Sequence, residues 1–302
     1  MVIILLLFIL GVTSFFVPQK YMKWYFVLSG IVLSSLLFFY VPPVEDDLSR
    51  YYQMFDVAKK LNIGEYFGAD YGTDDWLMNH MFNDYAKSAP VFFVMLFLIS
   101  RAPIREMLPV VFSLITYIPL FMLVYEVSVD NKYSKRTMCF CFVMILACID
   151  FRFVSCLRNL SAYSIFAYTL YKDTMKKCKP IPCLIGYLIA CGIHLSCVPL
   201  LFLRLIAILI SGKLKWAVVT LLLLVKKLSQ LIAPILGNLF GNITLVAKLI
   251  EKIEIYFVDR TNYNVHGALF FCGAIMVVLI VYFASRTDKI ALKTYKSYDT
   301  AF

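Results

Sequence analysis

Apolar runs divide the chain into segments close to the length of a membrane-crossing helix. Val2–Val17 is the first run, and the loop PQKYMK after it carries Lys20 and Lys23. Trp24–Val41 is the second, opened by Trp24 and Tyr25 as interfacial aromatics and stopped by Pro42-Pro43. Met107–Val127, Thr137–Ile149, Ser161–Tyr171, Cys183–Ile210, Trp216–Val225 and Val265–Ala284 continue the series. A helix needs ~20 apolar residues to cross ~30 Å of hydrocarbon. The runs do not alternate apolar and polar positions as barrel strands do. The pattern predicts an all-α, polytopic integral membrane protein of about nine to ten transmembrane helices, in a single domain over 1–302. The N-terminal run lacks a basic leader and a small-residue cleavage site, so it reads as a first span.

Four segments depart from this pattern. Ala89–Ser100 is apolar for only twelve residues. As a full span it would put the basic loop DNKYSKR (130–136) outside, against the positive-inside tendency. A re-entrant or interfacial helix over about 89–100 keeps that loop in the cytoplasm. Residues 42–106 then form one large external region. Within it, Pro42–Ser88 holds nine Asp or Glu against four Lys or Arg. Asp47, Tyr51 and Phe55 are spaced i, i+4, i+8 and share one helix face, with Asp46 or Asp47 placed to cap it. The third segment, Lys226–Asn264, is amphipathic: Leu231, Ile235, Leu239 and Ile243 step by four, as a helix lying on the outer interface would. Cys183–Ile210 is too long for one span, and reads as a hairpin or broken helix with His194 near an external turn.

Composition agrees with the membrane assignment. Of 302 residues, 62% are apolar and only 16% charged, with a mean hydropathy of +0.80. That leaves too little polar surface for a soluble protein of this size. The net charge of +10 sits in short loops, where it sets orientation and does not point to nucleic acid. KDTMKKCK (172–179) is the strongest cytoplasmic marker. Nine cysteines fall mostly inside apolar runs, where Cys acts as a small hydrophobe. Neither a disulfide framework nor a zinc motif is indicated.

The unusual stretch is Asp150–Tyr171, DFRFVSCLRNLSAYSIFAYTLY. It brings Arg152, Arg158 and Asn159 to the mouth of a span. An Arg at a helix centre costs roughly 2.5–3.5 kcal/mol on insertion scales, so such residues either snorkel to headgroups or line a protein cavity. Arg binds phosphate oxygens bidentately and is always charged. Tyr51 offers a ring face for a sugar, and Asp47 or His194 a base or an orienting group. Asp46, Arg50, Arg101 and Arg105 are further substrate-binding candidates on the external side. Each has a plainer alternative: a core histidine for His194, belt aromatics for Tyr51 and Tyr52, a turn for Asp74-Asp75. Walker A, HExxH, GxSxG and dinucleotide-binding signatures are absent from the sequence. Neither a cofactor nor a metal is expected; Asp46-Asp47 alone is weak ground for a cation.

Four pieces, in order, resemble the EpsG-like branch of the Wzy-type polysaccharide polymerases. They are Asp47…Tyr51…Phe55 after the second span, the KYSK loop Lys132–Lys135, Leu157-Arg158-Asn159-Leu160-Ser161-Ala162 opening a span, and His194-Leu195-Ser196. Two positions depart from the family pattern: Asn159 stands where it has Gln, and Leu48 where it has an aromatic. Beyond residue 200 only the general pattern continues, with Tyr256 external. The family usually runs longer, which implies that C-terminal helices are missing here. The resemblance implies polymerisation of polyprenyl-diphosphate-linked oligosaccharides into capsule, exopolysaccharide or O-antigen at the outer face of a bacterial cytoplasmic membrane. It also implies that Arg158 contacts the donor diphosphate, and that flippase and chain-length regulator proteins are pathway partners. Two other functions fit the composition. A flippase would also want a cationic cavity, but internal repeats are not visible. A membrane O-acyltransferase could use His194, yet its acyl donor needs cytoplasmic access.

Overall fold

The structure, a computed structural model, describes residues 2–43, 46–68, 76–148, 157–176 and 178–209. Arg152, Asp74-Asp75, Trp216–Val225, Lys226–Asn264 and Val265–Ala284 lie outside these. Contacts cluster the chain into Met1–Phe202 and Leu203–Phe302; the helical bundle and the site within it belong to the first unit. Among the described residues every regular element is helical.

α1 (Val2–Ser14) and α2 (Met22–Leu36) open the chain. Short 3-10 turns flank α2, so Gln19–Phe39 runs as one 21-residue rod. The polar region folds into α3 (Asp47–Lys60), α4 (Ile63–Phe67) and α5 (Trp76–Ser88). Then come α6 (Pro90–Ser100), α7 (Met107–Asp130), α8 (Lys135–Cys148), α9 (Leu157–Thr174), α10 (Pro180–Ile193) and α11 (Cys197–Leu209). Two helices among the described residues are long and apolar enough to cross a membrane, Gln19–Phe39 and Met107–Asp130; Leu5–Ser14, α6 and α10 are shorter apolar helices.

The long helix α7 is the centre of the packing, with α2 on one side and α9 on another. α2 runs antiparallel to it, Gly30 facing Tyr117 and Phe26 facing Phe121. α9 runs parallel to it. Ser161 Oγ donates to the Phe112 carbonyl at 2.9 Å and bonds Thr116 at 2.9 Å. About two turns further along α9, Tyr168 donates to Glu126 at 2.8 Å, and beyond it Lys172 pairs with Glu126 at 2.5 Å. At the C-terminal end of α9, Tyr171 and Lys176 both bind Asp130. α1 lies antiparallel to α8: Gly11 faces Val143, and Lys135 Nζ donates to the Phe15 carbonyl at 2.6 Å. α10 runs antiparallel to α9, Tyr187 against Phe166. Helix direction therefore alternates along α1, α2, α7, α8, α9 and α10. The basic loops near Lys20, Lys132 and Lys176 consequently share one end of the bundle. Arg158 and the start of α7 lie at the other.

The α9–α10 contact depends on a missing side chain. A Cβ on Gly186 would stand 2.9 Å from Thr169 Cγ2 and 3.2 Å from its Cβ. Gly186→Ala is expected to lower stability by about 1–3 kcal/mol through overpacking, read as a lower thermal midpoint in detergent. Adding Thr169→Ala should restore most of it.

One element differs from the sequence expectation: α9 starts at Leu157 and not at Ser161, because aromatic side chains from other helices accept the polar first turn. Cys183–Ile210 is broken as its length suggested, with α10 ending at Ile193 and α11 starting at Cys197. His194 adopts extended dihedrals (φ −148°, ψ 125°) at the break.

Candidate functional site

Arg158, on the first turn of α9, meets side chains from three other helices. Its Nε donates to the Tyr51 hydroxyl at 2.7 Å. The guanidinium carbon lies 4.3 Å from the centroid of the Tyr85 ring, 5.1 Å from that of Phe92 and 5.4 Å from that of Tyr51. These distances are cation–π range. Tyr51 comes from α3, Tyr85 from α5 and Phe92 from α6. Of the five N–H donors of a guanidinium, those on the terminal nitrogens have no partner among the described residues, and no carboxylate there forms an ion pair with it. Asp47, one turn before Tyr51, acts on both Tyr51 and Arg158 through its charge. Its own ion pair is with Arg50 at 3.5 Å, and both side chains are about half exposed or more.

The cage is held from behind. Asn62 and Glu65 form a reciprocal capping box at the start of α4, with bonds of 2.9 and 2.8 Å. α4 thereby presents Tyr66, fully buried, which stacks on Phe93 at 4.2 Å and donates to its carbonyl at 2.9 Å. Phe82 and Phe97 close around the same ring. α5 and α6 meet at Ala89-Pro90 as a helical hairpin. At its tip, Val91 sits against Gly192 of α10, where a Cβ would come within 3.1 Å of Val91 Cβ. His194 follows Gly192 by two residues, so it lies at the same end of the bundle as Arg158. Its Nδ1 is 2.5 Å from Ser196 Oγ and accepts the Ser196 backbone N–H at 3.1 Å.

The other sequence candidates go to different places. The Tyr51 ring, a sugar platform on the sequence reading, is closed to a sugar in the structure. It is 2% exposed and packs edge-on against Tyr85 and at a tilt on Phe92. Burial pushes its hydroxyl far above the usual tyrosine range, an effect that the Arg158 charge opposes without cancelling. It stays a phenol that orients Arg158. Arg101, an expected anion ligand, instead spends its donors on the end of α3: Nη2 binds the carbonyls of Ala58 (2.5 Å) and Leu61 (3.0 Å) over the Phe97 ring. Such a cation at a helix C-terminus satisfies orphan carbonyls and complements the dipole. Arg105 pairs with Asp56 at 3.4 Å and Glu106 at 3.6 Å, above the Tyr52 ring. Burial, reinforced by the Glu106 charge, pushes the Tyr52 hydroxyl up to about 12. Asp46 occupies the N-cap position of α3 without a side-chain capping bond, and accepts from Tyr40 at 3.4 Å. Asn159 is half-buried beside Arg158 on α9. Sequence reasoning missed Tyr85 and Phe92, the two nearest rings to Arg158. A partial signal was present, since both flank the Ala89-Pro90 bend that brings two helices face to face. No group of three or more His, Cys, Asp or Glu side chains suited to a metal ion occurs among the described residues.

No family model matches this chain, and no match was found among curated proteins or solved structures.

Proposed function

We propose that the chain is a multi-pass α-helical protein of the bacterial cytoplasmic membrane. In this reading it is a polymerase-type glycosyltransferase that joins polyprenyl-diphosphate-linked repeat units at the outer face. Two features support the membrane reading. α10 exposes Ile181, Leu184, Ile185 and Leu188, and α1 exposes Leu5, Phe8 and Val12, a breadth of apolar surface that soluble monomers rarely carry. The basic loops gather at one end of the bundle, the arrangement of a positive-inside protein. The full set of nine to ten spans belongs to this proposal.

The observation that carries the enzymatic reading is Arg158: a part-buried, permanent cation with spare donors at the end opposite the basic loops. A diphosphate supplies the charge and the oxygens it lacks. In the transfer, the bond between the anomeric carbon and the diphosphate oxygen breaks, and the lipid diphosphate leaves with the electron pair. A hydroxyl oxygen of the next lipid-linked unit bonds to that carbon and loses its proton to a base. Arg158 stabilises the charge that grows on the leaving oxygen. Tyr51 holds the guanidinium's edge so that its terminal nitrogens face that oxygen.

A strain lacking this protein should display a surface glycan collapsed to a single repeat unit on a sizing gel, with the ladder restored on complementation. Units trapped inside, with none displayed, would indicate a flippase instead. A full ladder of unchanged spacing would reject both and leave a modifying enzyme such as the O-acyltransferase.

A further inference from the structure

The basic loops at one end of the bundle differ in how their charge is balanced. On the side of α9 and α10 the cations meet carboxylates: Lys172 pairs with Glu126 at 2.5 Å, and Lys176 with Asp130. The side of α1, α2 and α8 lacks that balance. Residues 15–25 and 131–137 carry Lys20, Lys23, Lys132, Lys135 and Arg136 without an Asp or Glu among them. The three helices converge there. The Tyr25 hydroxyl of α2 donates to the Leu10 carbonyl of α1 at 2.6 Å, and the Cys139 thiol of α8 to the Ser14 carbonyl at 3.3 Å. Lys135 Nζ uses one of its three donors on the Phe15 carbonyl. Arg136 is exposed and has no hydrogen bond or ion pair among the described residues. Together Phe15, Ser134, Lys135 and Arg136 line an open hollow of about 670 Å³, a size usual for ligand sites.

The surroundings of the hollow call for a ligand that is both anionic and amphiphilic. Arg136, Phe140 and Met144 are spaced i, i+4, i+8 and share one face of α8. Phe140 and Met144 are 60% and 47% exposed, so the charge at the start of the helix leads onto a bare apolar strip. Leu5, Phe8, Val12 and Phe15 form a second exposed strip that runs down α1 to the hollow. Phe16, Tyr21 and Trp24 are exposed between α1 and α2, as aromatics at a membrane–water interface are. A soluble anion would satisfy the cations and leave both apolar strips bare. Basic pockets between membrane helices on the cytoplasmic side seat anionic headgroups.

We infer that this hollow seats one anionic phospholipid of the inner leaflet, its phosphodiester on the Arg136 guanidinium and its acyl chains along Phe140 and Met144. The inference rests on the membrane reading and is independent of the polymerase reading. The guanidinium fork takes two phosphoryl oxygens with parallel N–H donors. Lys135 adds a second positive charge, held in place by its bond to the Phe15 carbonyl.

Native mass spectrometry of the full chain in neutral detergent, titrated with phosphatidylglycerol or phosphatidylcholine of the same acyl chains, tests the site. The first phosphatidylglycerol should bind about tenfold more tightly than the first phosphatidylcholine, as a charge-assisted contact adds to the shared tail contact. Arg136→Gln should remove most of that preference. Lys179→Gln deletes the same charge from the exposed start of α10, at the same end of the bundle, and should leave the preference unchanged. Phe140→Asn keeps every charge and should weaken both lipids by about fivefold through lost apolar contact. Equal affinities for the two lipids overturn the inference. Equal losses in Arg136→Gln and Lys179→Gln would assign the preference to diffuse charge, and overturn it too. An unchanged affinity in Phe140→Asn, or displacement of phosphatidylglycerol by inorganic phosphate, would reduce the hollow to a soluble-anion site. Flotation with phosphatidylcholine liposomes after an alkaline wash reads the membrane assignment separately. A chain that washes off withdraws both readings; a chain that floats and prefers neither lipid withdraws the site alone.

Discussion

Arg158→Lys is expected to abolish glycan chain growth as completely as Arg158→Ala, each by on the order of 100-fold or more, at unchanged protein level. Preserving the positive charge does not suffice, because the site uses the guanidinium's shape. Nε is committed to the Tyr51 hydroxyl at 2.7 Å, while the terminal nitrogens have no partner among the described residues. Only a planar fork can bond sideways to a tyrosine and still present two parallel donors to a phosphate. An ammonium is a compact point charge; in reaching Tyr51 it would withdraw from the ligand. It also stacks less well on Tyr85 and Phe92, whose rings lie 4.3 and 5.1 Å from the guanidinium carbon. Tyr51→Phe tests the positioning half of the argument. It keeps the ring and the packing but removes the acceptor, and should cost about tenfold, the size of one hydrogen bond to a charged group. Chain lengths compared on a sizing gel read all three variants. A lysine variant with native chain lengths would show that charge alone matters, and would withdraw the bidentate role from Arg158.

The long-range order of this site was only partly visible in the linear chain. Helix periodicity placed Asp47, Tyr51 and Phe55 on one face of a helix, and Asp47–Lys60 is helical with Tyr51 and Phe55 buried. Apolar run length found α7 within about three residues at its end, and Pro119 is accommodated inside it. The roles within the site were harder to read, since they depend on what lies across from each side chain. Arg101 beside an apolar helix looks in sequence like an anion ligand; the competing acceptor is the carbonyl end of α3, about forty residues earlier in the chain. Tyr51 looks like an open platform until Tyr85 and Phe92 close over it. α4 and α5 were hidden for a related reason. Their acidic, mixed composition reads as loop, and their stability comes from Tyr66 inserting among Phe82, Phe93 and Phe97 and not from a continuous apolar face. His194 and Ser196 show the opposite case. Residues two apart suffice for the contact, and only the extended dihedrals at the break were needed to complete it.

The second large effect is expected at the opposite end of the bundle, and concerns stability. Glu126 on α7 accepts from Tyr168 at 2.8 Å and pairs with Lys172 at 2.5 Å, both on α9. The two charged side chains are only 15% and 27% exposed. A surface ion pair contributes little, but removing one member of a largely enclosed pair strands the other charge. Glu126→Ala removes the paired carboxylate of Lys172, leaving its ammonium over the Tyr168 ring with the more distant Asp130 charge, and deprives Tyr168 of its acceptor. The expected loss is about 2–4 kcal/mol, toward the lower end of what a broken buried pair costs because some water reaches this one. An unfolding titration in mixed micelles would measure it. Replacing both partners, as Glu126→Leu with Lys172→Met, removes the stranded charge and should recover most of the loss. If the double variant is no more stable than Glu126→Ala, then helix packing around residue 126, and not the unpaired charge, sets the cost. Because α7 and α9 run parallel, the same pair helps to fix their register, together with the Ser161 bonds to Phe112 and Thr116 and the Tyr171 bond to Asp130. Arg158 lies at the start of α9, so a slip of one helix along the other would carry it out of its aromatic cage. Glu126→Ala is therefore expected to shorten the glycan as well, through the position of a side chain about four turns of α9 from Lys172 and without touching it.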